Sequence, residues 1–91
     1  MSEHLTEVID ETNLADARKE FQRLTPRQQQ VLREVDNAVD GWIERGFSRS
    51  WGIAPNAVHA LVSKGLLEMP HGRGRARLTQ RGLELVERAI Q

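Results

Sequence analysis

Apolar residues recur at helical spacing in four stretches of the chain, and between the third and fourth they alternate with polar residues. Leu14, Ala17, Phe21 and Leu24 fall at i, i+3, i+7 and i+10, predicting an amphipathic helix that begins near Asn13 and Asp16. A terminal stripe of this kind can cover its own domain or form a dimer seam. Ahead of it, Leu5, Val8 and Ile9 stand among Glu3, Glu7, Asp10 and Glu11, a pattern that suits a short helix or a frayed arm.

Thr25-Pro26-Arg27-Gln28 combines an N-cap, a proline at the first helical position and a glutamine placed to close a capping box, so a second helix starts there. Val31, Leu32, Val35 and Val39 define its buried face. Ala38 and Trp42 extend the stripe if the helix runs through Gly41 to a stop at Glu44-Arg45-Gly46. A glycine inside a helix costs about 1 kcal/mol relative to alanine, which favours an end near Gly41. The next segment, 46–54, offers Phe47, Trp51 and Ile53 as core anchors. It reads either as a helix of little more than one turn, with Gly52 making its turn, or as a strand.

From Ala54 onward the order is helix, strand, loop, strand, helix. Pro55 opens a helix over 55–64 with Val58, Leu61 and Val62 turned inward, and Gly65 closes it. Leu66 to Met69 and Arg75 to Leu78 predict a hairpin whose tip is broken by Pro70, Gly72 and Gly74. Alternation sends Ala76 and Leu78 to the core side and Arg75 and Arg77 to the other. Thr79 caps the last helix, Leu78 and Leu83 sit where a hydrophobic staple forms, and Leu83, Val86 and Ile90 continue the inward stripe. The fold class expected is mainly α with a small β-hairpin (α+β), as an N-terminal arm and helix over 1–24 followed by one domain over 25–91.

A chain of 91 residues with 38% hydrophobic and 29% charged residues suits one small globular domain. There is no cysteine, so disulfides and thiolate metal sites are excluded. No apolar run approaches the roughly 20 residues that span a bilayer, and the acidic start MSEHLTEVIDET is unlike a signal sequence. The expected location is the cytoplasm. Net charge is zero, but residues 1–41 carry five Lys/Arg against nine Asp/Glu, a balance of −4, whereas 42–82 carry seven against two, a balance of +5. The basic half coincides with the helix and hairpin, the footprint expected of a protein that meets phosphates.

Ala57-Val58 to Lys64-Gly65-Leu66-Leu67, the glycine and arginine loop, and Leu78-Thr79 with Gly82 together resemble the winged helix-turn-helix proteins of bacteria, archaea and their viruses, including regulators of the MarR-like type. The resemblance covers roughly Leu24 to Ile90. It implies a transcriptional regulator that binds double-stranded DNA as a homodimer, with helix 55–64 in the major groove and a wing over 69–77 on backbone or minor groove. It also places phosphate contacts at Arg49 and Ser50, before the turn.

Four residues on the helix face opposite Val58, Leu61 and Val62 are candidates for contact: Asn56, His59, Ser63 and, to one side, Lys64. Asparagine can bond adenine in paired fashion, while His59 and Ser63 can reach base edges or phosphates. The bland reading is an ordinary solvated face. In the loop, Arg73-Gly74-Arg75 resembles the core of minor-groove hooks, and Arg77 adds charge beside it. No catalytic, metal or cofactor site is expected. His4, His59 and His71 are far apart in sequence, no carboxylates pair on a cleft-forming element, and Gly72-Arg73-Gly74 lacks the Lys-Ser/Thr of a phosphate-cradling loop. A competing reading is a protein-interaction winged helix, such as a phage-encoded modulator of a host protein, that docks through Phe47, Trp51 and the basic face.

Overall fold

The computed structural model describes residues 15–90. The arm with Leu5, Val8 and Ile9, the Asn13 start and Leu14 lie outside them. Within them run helix α1 over 15–23, α2 (Pro26–Asn37), strand β1 (Trp42–Glu44), α3 (Arg49–Ile53), α4 (Pro55–Ser63), β2 (Leu67–Glu68), β3 (Arg75–Leu78) and α5 (Gln80–Ile90). The protein is thus mainly helical with a small antiparallel sheet, an α+β chain.

Ala17, Phe21 and Leu24 are buried against the chain's own core, so this part of the first stripe is satisfied within the domain. Gln29 Nε2 on α2 donates to the carbonyls of Phe21 and Leu24 at 3.0 and 3.1 Å, tying α2 to the end of α1, where Phe21 O also accepts the Leu24 N–H. The capping box forms as expected. Gln28 N–H donates to Thr25 Oγ1 and Thr25 N–H to Gln28 Oε1, each at 3.1 Å. Val31, Leu32 and Val35 then place α2 at the centre, in contact with α3, α4, α5, β1 and β3.

Helix α2 ends at Asn37, short of the Val39 and Trp42 stripe. Ala38 is already extended, Gly41 has φ +80°, and Asp40 Oδ1 accepts the Trp42 N–H at 3.1 Å, so a turn forms where the apolar spacing would have continued the helix. Val39 is consequently fully exposed instead of buried. The chain that follows supplies a third strand from 42–44, earlier than the 46–54 segment considered for that role. β1 pairs with β3 in the register Trp42↔Arg77, Ile43↔Ala76, Glu44↔Arg75, and β2 with β3 as Leu67↔Leu78, Glu68↔Arg77, giving the order β1-β3-β2. Ile43, Leu67 and Ala76 are buried on the inner face. The hairpin is shorter than expected because Met69, ahead of Pro70, leaves the ladder.

Residues 46–54 contain the short helix α3. Of its three expected anchors only Trp51, 3% exposed, enters the core; Phe47 is 86% exposed and Ile53 48%. Gly52 lies inside α3, and Ala54 alone links α3 to α4. At the other end of α4, Gly65 takes φ +76°, its N–H bonds Val62 O and the Leu66 N–H bonds Leu61 O, both at 3.0 Å, a closure that only a residue comfortable at positive φ makes cheaply. Thr79 Oγ1 accepts the Gly82 N–H at 3.0 Å as the cap of α5 and donates to Gly65 O at 2.6 Å. The buried face of α5 is Gly82, Leu85 and Val86, with Leu83 and Ile90 at its exposed margins, a rotation from the expected stripe.

Candidate nucleic-acid interface

The core fixes one face of α4 through Ala57, Val58 and Leu61, which leaves Asn56, His59 and Ser63 exposed. At 100° per residue these three fall within an arc of about 60°, so they form one narrow stripe. Lys64, exposed at the C-cap, is on the same end; its carbonyl accepts from Arg81 Nη1 at 3.2 Å.

The stripe is flanked on both sides. On one flank a cleft of about 420 Å³ is lined by the exposed residues Arg45, His59 and Arg73 together with Gly46, Trp51, Gly52 and Pro55. No carboxylate lines it. The Arg45 N–H donates to Gly74 O at 2.8 Å, which ties the turn after β1 to the hairpin loop and brings the two arginines to one place. On the other flank Asn56 lines a groove with Arg27 and Gln28 at the start of α2. Among the described residues Arg27, Arg45 and Arg73 join no ion pair, so their charges face outward uncompensated.

Arg75 and Arg77 behave differently. Alternation along β3 does put them opposite Ala76, but that outer sheet face is already furnished with carboxylates and an indole. Arg75 Nη2 lies 3.6 Å from Asp40 Oδ2 and its Nε 3.2 Å from Glu44 Oε1, the latter without an aligned hydrogen bond. Arg77 Nε donates to Glu68 Oε1 at 3.2 Å. Both guanidiniums stack on Trp42, 4.5 and 4.9 Å from the ring centroid, and His71 approaches the same ring at 5.8 Å. Each half-exposed pair and stack contributes well under about 1 kcal/mol, yet together they orient both arginines along the sheet. The loop therefore presents Arg73 alone, not three parallel cations.

Of the two residues expected to meet phosphate ahead of the turn, Arg49 is exposed in the first turn of α3, whereas Ser50 is 4% exposed and faces inward. Ser50 N–H donates to Glu34 Oε1 at 3.1 Å, and the Ser48 hydroxyl donates to Glu34 Oε2. Burial pushes the Glu34 carboxyl up, but the hydrogen bonds from Ser48 and Ser50 outweigh it and hold the group below its ordinary value. Arg27 and Arg45 are the basic residues that sequence reading missed. In the sequence Arg45 stands in one of two alternative helix stops, and only the strand at 42–44 turns it toward the loop; Arg27 reads there as part of a capping sequence.

Comparison of the chain with family models, curated proteins and solved structures returns no match.

Proposed function

We propose that this chain is a winged helix-turn-helix module that binds double-stranded DNA, with α4 entering the major groove and the 69–74 loop acting as the wing. The element order supports this reading: a strand between α2 and α3, two helices joined by one residue, then a hairpin that closes a sheet of order β1-β3-β2. The observation that carries it is the cleft without carboxylates, where Arg45 and Arg73 flank His59 on the exposed edge of α4. A duplex laid on α4 meets uncompensated cations on both sides of the helix, as backbone positioning requires, while Asn56 and Ser63 face base edges. A homodimer reading a palindromic site and a role in transcriptional regulation complete the proposal, because one small module buries little DNA surface.

Fluorescence anisotropy on a random duplex pool tests it. Affinity should fall by at least about tenfold between 50 and 200 mM salt, because several phosphates exchange counterions for protein cations. Salt-independent binding, or none at 50 mM, rejects the proposal. Selection from the pool should then yield a preferred sequence, and Asn56→Ala should narrow the gap between it and random duplex.

A second reading, a protein-docking winged helix, draws on the exposure of Phe47, which lines a groove with Ala38, Trp42 and Ile43. Trp51 no longer contributes to it, since its side chain is in the core.

A further inference from the structure

We infer that the cleft shared by Arg45, His59 and Arg73 seats one phosphodiester group of the bound duplex, and that His59 holds it as an imidazolium, so that DNA binding takes up a proton. This rests on the DNA-binding reading above and adds to it a defined anion site and a dependence on pH.

The two arginines come from different elements, Arg45 from the turn after β1 and Arg73 from the loop, and are held together by the bond from Arg45 N–H to Gly74 O. Two basic residues that line one cleft from different elements suit a tetrahedral phosphate oxygen set, which accepts from several donors at once. His59 enters the same cleft from α4. The remaining lining bears no charge: Trp51 and Gly52 of α3 and Pro55 of α4 bring neither a carboxylate nor a further base. An imidazole is the side chain whose charge changes between pH 5 and 8, and an anion within a few ångströms favours its charged form. A phosphate in the cleft supplies that anion.

The assignment divides the labour of α4. His59 serves a phosphate that every sequence offers, and base reading falls to Asn56 and Ser63 further round the helix. His59 substitutions then weaken all duplexes alike, which sets this residue apart from Asn56.

The test measures duplex affinity from pH 5.5 to 8.0 at constant ionic strength for the full chain and for His59→Gln, His71→Gln and His4→Gln. The wild type should bind roughly tenfold more tightly at the acid end, where an imidazole carries its proton. His71→Gln and His4→Gln should keep that slope. His59→Gln should be flat with pH and weaker by the same factor on selected and random duplexes, with an unchanged melting temperature because the side chain is exposed. NMR of the His59 ring nitrogens near neutral pH should move toward the doubly protonated pattern when a short duplex is added. Tight binding with no pH slope, a slope that survives His59→Gln, or a loss confined to the selected sequence overturns the inference while leaving DNA binding intact. Failure to bind any duplex across the range overturns both.

Discussion

The backbone N–H of Ser50 donates to Glu34 Oε1 over 3.1 Å, joining the first turn of α3 to the third turn of α2. The same carboxylate accepts the Ser48 hydroxyl, and Ser48 Oγ in turn accepts the Trp51 N–H at 3.1 Å. A helix of five residues cannot sustain itself, since nucleation costs more than so few bonds return. Glu34 and Ser48 therefore build α3 from outside, and by doing so seat Trp51 in the core beneath the cationic cleft.

Glu34→Ala should cost about 1–3 kcal/mol, the range for removing hydrogen bonds to a charged acceptor and leaving the donors short of partners. The pH dependence has a definite sign. The folded carboxyl sits below its ordinary value of 4.5, so its stabilising contribution is present above that value and is lost as pH falls through the lower folded one. Thermal melts from pH 7 to pH 3 should show that acid loss in the wild type and a reduced one in Glu34→Gln. Parallel curves for the two proteins would show that Glu34 does not bind α3 as a carboxylate.

At Gly82 the backbone of α5 packs directly against that of Leu66. A Cβ built there would stand 2.0 Å from Leu66 O, a backbone atom that cannot step aside, and 3.2 Å from a Leu78 methyl. The better helix propensity of alanine, worth about 1 kcal/mol, is outweighed by that overlap. Gly82→Ala should lose about 3 kcal/mol, at the upper end of the range for overpacking. Urea denaturation checks it, with a lower midpoint at unchanged slope as the expected result.

Legibility in the sequence followed whether the signal was local. The Thr25 capping box, the Gly65 closure, the Thr79 cap and the alternation along β3 each involve neighbours within a few residues, and each is present in the structure. The 38–54 region was obscure because long-range partners decide it. Trp42 to Glu44 become a strand through pairing with residues over thirty positions away, and α3 exists through a carboxylate on α2. The disposition of charge is hidden in the sequence for the same reason. Sequence counts Arg73, Arg75 and Arg77 as one cationic group, but Asp40, Glu44 and Glu68 reach two of the three only once the sheet has formed.

Phe47 offers a test that separates stability from interaction. It is 86% exposed, so Phe47→Ser should change stability by no more than about 0.5 kcal/mol. Duplex affinity should also be unaltered, since Phe47 lines the groove with Ala38 and Trp42 and not the Arg45 cleft. Anisotropy together with a thermal melt checks both. A fall in duplex affinity at unchanged stability would move the DNA contact surface toward α3.

The arginines of the hairpin should not be equivalent in DNA binding. Arg73 and Arg45 face the cleft without a carboxylate partner among the described residues, so each can exchange counterions for a phosphate at little cost. Arg75 and Arg77 would first have to leave Glu44, Asp40, Glu68 and the Trp42 ring. Arg73→Ala and Arg45→Ala should each lower affinity on every duplex and flatten the slope of log K against log salt, each by less than the roughly 0.9 of a whole phosphate contact because the two share one phosphate. Arg75→Ala and Arg77→Ala should leave the slope within error, with stability lower by about 0.5–1 kcal/mol for the lost pairs and stacking. Equal slope changes for all four would mean that the outer sheet face opens on binding and that the wing engages the duplex with its strands as well as its tip.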